Sequence, residues 1–210
     1  MIHIGIIHLP KPERRALLHT TVLSAIEMGA LSVSVLRDNQ AIGPTAMVQR
    51  ALAAVAQGKA DDELVCVMDD DLMLAPDALS KAWACMQAQP PRTALTLWTI
   101  EQNIPHSMRE QRGWLDFPTH SQLWGGAVVM RASDVFDVRA AIGEAWASAP
   151  SLWRCPDTAI YSALRSCGIR VLHHVPSLAD HMGTEASTLG NTHNNGETRG
   201  YLFDQWQSAS

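Results

Sequence analysis

The chain has 210 residues, with 16 Lys+Arg against 21 Asp+Glu for a formal charge of −5, and 47% of its residues are apolar. A chain of this length buries about 70% of the surface its unfolded form exposes, so one domain with its own core is expected and no staple is needed. The 18% charged fraction excludes a disordered polyelectrolyte, and the acidic balance offers no broad basic field for nucleic acid. No apolar run approaches the roughly 18 residues of a membrane span.

Residues 1–8 lack the basic start and small-residue cleavage pattern of a secretory leader, and the β-branched run 2–8 reads instead as a first strand that stops at Pro10. Pro12-Glu13-Arg14-Arg15 opens a helical stretch to Gly29, and residues 31–36 form a second strand. Gly43-Pro44 starts a helix whose Met47, Ala51, Leu52 and Val55 recur at helical spacing until Gly58. Residues 64–68 form a short third strand, apolar throughout, followed by a helix over 76–86 and a strand over 93–99. Residues 101–122 are polar and without period, as in a functional loop.

Residues 125–130 read as a further strand, Ser133 caps a helix to Trp146, residues 157–167 make a shorter helix, and 169–175 a last strand. Residues 183–200 hold too many glycines and asparagines for regular structure. Continuous apolar strands alternating with helices require a mostly parallel sheet covered on both faces, so the expectation is a single α/β domain over 1–210. Cys66, Cys85, Cys155 and Cys167 have no C-x-x-C spacing, so reduced thiols and a cytoplasmic location are expected.

The third strand runs directly into Asp69-Asp70-Asp71. Ligands of open α/β sheets bind outside the carboxyl edge, and three adjacent carboxylates there suit a hard divalent cation, Mg²⁺ or Mn²⁺, carrying substrate phosphates. The same aspartates would equally begin an ordinary surface loop before the helix at Pro76.

With this D-x-D cluster behind two βα units, the chain resembles a GT-A glycosyltransferase, a Rossmann-like nucleotide-diphospho-sugar transferase, over nearly its whole length. The resemblance implies a nucleotide-binding half over 1–100, an acceptor and catalytic half over 101–182, and a lid or tail over 183–210. It implies that Asp69 or Asp70 meets the donor's ribose and that Asp71 binds the ion, with Asp69 a further metal candidate. His8, Leu9, Pro10 and Arg14 after the first strand, and Arg37, Asp38 and Asn39 after the second, would embrace the nucleotide. Trp124, Gly125 and Gly126 resemble the segment lining the sugar and acceptor pocket, where glycine admits close approach and an indole suits a sugar ring. These glycines would equally mark a bulge, and Trp124 would equally serve as core.

Asp157, opening the helix at 157, falls where inverting members carry the general base, although Pro156 replaces an acidic residue common there, and Asp in a first turn is favoured by the helix dipole alone. His181 matches the late histidine that completes the metal shell in many metal-dependent members.

The implied function is metal-dependent transfer of a sugar, with inversion, from a UDP- or GDP-sugar type donor to an acceptor hydroxyl on a glycan, a protein or a phage-type hydroxymethylated DNA base. Net acidity does not favour nucleic acid, though Arg109, Arg112 and Arg131 could form a local basic patch. Two alternatives stay open: a Mg²⁺-dependent nucleotidyltransferase, which would want a glycine-rich first loop missing from His8-Leu9-Pro10-Lys11-Pro12, and a non-catalytic nucleotide-sugar-binding protein.

Overall fold

The computed structural model describes residues 1–12, 14–40, 42–117, 126–148, 156–182 and 200–207. Along them run β1 (Ile2–His8), α1 (Arg14–Glu27), β2 (Ser32–Arg37), α2 (Pro44–Ala56), β3 (Leu64–Asp69), β4 (Leu72–Leu74) and α3 (Ala78–Ala88). Then come β5 (Thr93–Thr96), β6 (Gly113–Asp116), β7 (Ala127–Arg131), α4 (Ala132–Ser148), α5 (Pro156–Ser166), β8 (Arg170–Val175), β9 (Ala179–His181) and the single turn α6 (Asp204–Gln207).

Seven strands form one sheet in the order β2-β1-β3-β7-β5-β8-β6. β2, β1, β3, β5 and β8 share a direction, while β7 and β6 run against them, so the expected mostly parallel sheet is present. Both faces are buried, which is why β3 reads as an apolar run from Leu64 to Met68 and why even His3 and His8 of β1 lie inside. Ile2, Ile4, Ile6, Leu64, Cys66 and Met68 point to one core with Ala25 of α1 and Leu79, Ala82 and Met86 of α3. Val65, Val67, Val128 and Met130 point to the other, against Leu52 and Val55 of α2, Val138 and Ile142 of α4, and Ile160 and Leu164 of α5. Gly5 faces α2, where a Cβ would meet Val55 Cβ at 3.4 Å and the Ala51 carbonyl oxygen at 3.7 Å, ordinary van der Waals distances.

The structure differs from the sequence expectation in three short strands. Within 101–122, residues 113–116 form β6, an edge strand paired antiparallel with β8 from Gly113↔Val175 to Asp116↔Leu172. β4 and β9 make a separate antiparallel ribbon with Leu72 opposite His181 and Leu74 opposite Ala179. Three residues each are too few to show a period, and a strand pair so distant in sequence leaves no local signature. Among the described residues no helix is long and apolar enough to cross a membrane.

Candidate active site

The site is built where the parallel strands end. β3 delivers Asp69 to the sheet edge, and the chain then turns through Asp70 and Asp71 into β4. Both latter carboxylates lie inside the protein: Asp70 and Asp71 are each 1% exposed. Buried charge is unfavourable unless paired, so their partners decide what the site is.

Asp70 is fully engaged. Its Oδ2 lies 2.5 Å from His8 Nδ1 and accepts the Leu9 amide at 3.3 Å, and its Oδ1 accepts Arg14 Nη1 at 2.6 Å. Its carbonyl accepts the Thr21 hydroxyl of α1 at 2.9 Å. Asp70 thus binds the loop after β1 to the turn after β3.

Asp71 is held differently. Its Oδ2 is within ion-pair distance of Arg14 Nη1 at 2.7 Å and of His181 Nε2 at 2.9 Å, yet no hydrogen-bond donor is aligned on this buried oxygen. Burial pushes the Asp71 carboxyl up, but His181 and Arg14 outweigh burial and hold it below the usual carboxylate range. Burial works against the charge of the Arg14 guanidinium, and Asp71 and Asp70 more than restore it, so its pKa stands above the ordinary value.

His181 reaches Asp71 through the β4–β9 ribbon, where it faces Leu72, and the Met182 amide donates to the Asp71 carbonyl at 2.8 Å. Its ring stacks on Trp98, just beyond β5, with centroids 5.6 Å apart and planes at 21°. Trp98 in turn lies over Gly126, where a Cβ would come within 2.7 Å of Trp98 Cε3. The close approach that Gly126 permits is therefore to the indole of Trp98. The Asp69 amide donates to the Gly126 carbonyl at 2.9 Å, tying β3 to the start of β7.

The other expected residues fall as follows. Arg14, expected on the nucleotide, pairs with Asp70 and Asp71. Asp38 turns inward, accepting the Ile42 amide at 2.8 Å and the Gly43 amide at 3.3 Å, so it braces the loop into α2. Arg37 and Asn39 beside it are exposed, as is Pro10, while Leu9 is half-buried. Parallel pairing sets His8 beside Arg37, so the ends of β1 and β2 flank the carboxylates together. Asp157 is the second residue of α5, with its side chain outside the described residues, as are Trp124, Gly125 and residues 183–199. The flanks of 183–199 are fixed at the site, by Met182 on Asp71 and by the Gly200 amide on Asp180 Oδ1 at 2.7 Å.

Arg131 caps α3 through the carbonyls of Met86, Gln89 and Pro90, whereas Arg109 makes an exposed ion pair with Glu101 at 3.1 Å. Trp98, which no sequence motif marked, is the residue that orients His181. The one available signal was an aromatic side chain within the stretch 93–99 read as a strand, of which the structure keeps only Thr93–Thr96 as β5.

Asp71 Oδ2 and His181 Nε2, 2.9 Å apart, have the spacing of adjacent corners of an octahedron around a divalent cation with bonds of about 2.1 Å. An anionic oxygen without an aligned donor beside an imidazole fits such an ion. Among the described residues no three His, Cys, Asp or Glu side chains converge into a closed cage. The pair is compatible with an ion that keeps most of its shell from water and substrate phosphate, as Mg²⁺ commonly does.

No protein-family model and no curated protein matches the chain. Solved structures do match. The chain is similar to the crystal structure of a glycosyltransferase involved in the glycosylation of the major capsid of PBCV-1, at 14% identity and a TM-score of 0.54, over 87% of this chain and 94% of that one. At that identity the likeness speaks to the fold alone, a mixed α/β fold around a mostly parallel seven-stranded sheet.

Proposed function

We propose that the protein is a glycosyltransferase that uses a divalent cation and a UDP- or GDP-sugar type donor to glycosylate an acceptor hydroxyl. The observation that carries this reading is the meeting of Asp71 and His181 at the carboxyl edge of a sheet, in a fold similar to that of a solved glycosyltransferase. Asp71 and His181, with Asp69 at the rim, would hold Mg²⁺ or Mn²⁺, which would supply positive charge beside the donor's diphosphate.

The chain's own residues do the rest. The exposed Arg37 and Asn39, beside His8 and Leu9, line the approach for the nucleoside. Asp157, in the first turn of α5, takes the proton of the acceptor hydroxyl as its oxygen attacks the anomeric carbon from the face opposite the leaving diphosphate. Inversion follows from that arrangement. The engagement of Arg131 with the end of α3 and the acidic net charge favour a glycan or protein acceptor over DNA.

The test is a thermal-shift panel of sugar nucleotides with and without Mn²⁺, followed by turnover of the donor that binds. A metal-dependent shift with release of nucleoside diphosphate or monophosphate is expected. Release of pyrophosphate instead would assign a nucleotidyltransferase, and binding without any turnover a sugar-nucleotide receptor. NMR assignment of the product's anomeric configuration checks inversion, and retention would remove Asp157 from the role of base.

A further inference from the structure

We propose that Arg14 is the resident counter-ion of Asp71, displaced from it when the divalent cation and the donor's diphosphate arrive, so that ion and donor bind as a coupled pair. This rests on the cation reading above and adds to it the group with which the ion must compete.

The argument begins with position. Arg14 is the first residue of α1, a helix with no acidic residue in its first turn, so its guanidinium sits at the positive end of the helix dipole. It is nevertheless drawn inward, with only 13% of its side chain exposed, because Asp70 and Asp71 require a cation. Its two contacts are unequal. The bond to Asp70 Oδ1 is an aligned hydrogen bond at 2.6 Å, whereas Nη1 approaches Asp71 Oδ2 at 2.7 Å without being aligned on it.

Asp70 is therefore the anchor, and Asp71 is neutralised by proximity alone. A divalent cation on Asp71 Oδ2 replaces that charge at the very atom where Arg14 contributes no directed bond. It also repels the guanidinium across a few ångströms of low-dielectric interior. Arg14 can leave Asp71 without leaving Asp70, and a diphosphate bound to the cation presents it with anionic oxygens of the geometry that a guanidinium prefers. In the absence of donor, the arginine opposes the ion; in its presence, arginine and ion share the same anion. The coupling is reciprocal, so Arg14 makes Mn²⁺ affinity depend on the nucleotide and nucleotide affinity depend on Mn²⁺.

The experiment measures Mn²⁺ affinity by the EPR signal of free Mn²⁺, with and without UDP and GDP, in the wild type, R14K, R14Q and D71N. R14Q is expected to bind Mn²⁺ without nucleotide at least tenfold more tightly than the wild type and to gain less from added nucleotide. R14K keeps the wild-type pattern, and D71N does not bind. If the wild type binds Mn²⁺ through Asp71 but R14Q binds equally or more weakly, the exchange is overturned while the cation reading stands. If no protein binds Mn²⁺ even with nucleotide, both are overturned.

A second measurement needs no variant. Phenylglyoxal labelling of Arg14 in the wild type, followed by peptide mass spectrometry, is expected to quicken when Mg²⁺ is added. An unchanged rate at an Mg²⁺ concentration that saturates the site overturns the proposal, whether or not R14Q folds.

Discussion

His181 Nε2 stands 2.9 Å from Asp71 Oδ2 because Leu72 and His181 face one another in the β4–β9 ribbon. The contact joins the turn after β3 to nearly the last described residue before 183–199. A short ribbon closed by the Met182 amide on the Asp71 carbonyl thus converts two distant positions into one donor pair.

Asp71→Asn keeps the shape of the side chain and removes its charge, which is what a hard cation requires. With ion and donor at about a hundred times their dissociation constants, the wild type should gain about 2.7 kcal/mol by mass action. In a domain of this length that is a rise in Tm of about 5–10 °C. The asparagine variant should show almost none of this rise in the same thermal-shift measurement. A full metal-dependent shift in it would remove Asp71 from the cation site.

Gly126→Ala tests the support behind His181. The added methyl would stand 2.7 Å from Trp98 Cε3 and 3.3 Å from Leu72 Cδ1, so the indole must move and His181, stacked on it, must follow. Overpacking of this kind costs about 1–3 kcal/mol, to be read in urea denaturation. Disturbing a residue that orients a ligand commonly lowers metal affinity about 10–100-fold. A destabilised protein with undiminished Mn²⁺ affinity would show that Trp98 packs the core without orienting His181.

How much of this was legible in the sequence follows from what each residue answers to. The apolar run of β3 from Leu64 to Met68 and the isoleucines of β1 report burial, a local property, so strands, helices and the place of Asp69 to Asp71 could be read directly. The partners of those aspartates could not. Arg14 and His8 follow β1 and look free for a ligand, and only the folded sheet, which sets Ile7 beside Asp69, turns them onto Asp70. Asp38 likewise has partners that its neighbours in sequence do not announce, since its oxygens accept amides four and five residues on. The close approach at Gly126 is to an indole of the protein itself, which no neighbouring residue announces.

Arg131 gives a prediction about specificity. Its guanidinium donates to the Met86 carbonyl at 2.8 Å, the Gln89 carbonyl at 2.9 Å and the Pro90 carbonyl at 3.1 Å, satisfying the end of α3. Arg131→Ala should therefore cost about 1–3 kcal/mol in urea denaturation, the range for charged hydrogen bonds. Donor and acceptor kinetics should be unchanged. A stable variant with weakened, less salt-dependent acceptor binding would instead place Arg131 on an anionic acceptor.

His173 predicts the acid limb of stability. It lies in β8, 2% exposed, stacked on Phe117 with centroids 4.2 Å apart and planes at 6°, and its Nε2 has no hydrogen-bond partner among the described residues. Burial alone drives its pKa down from 6.5 to about 3. Between those values the unfolded chain binds a proton that the folded one does not, so stability rises with pH there and falls on acidification. From pH 7 to pH 5 the loss attributable to this ring is about 2 kcal/mol. His174, also lowered mainly by burial, acts in the same direction. Asp71, held below its ordinary 3.8, acts only at lower pH, where stability is lost as pH falls through its folded-state pKa. His173→Phe keeps an aromatic ring against Phe117 and removes the titration. The difference in urea-derived stability between pH 7 and pH 5 should shrink by about 2 kcal/mol in that variant. An unaltered difference would mean that His173 is protonated inside the fold and that the acid sensitivity arises elsewhere.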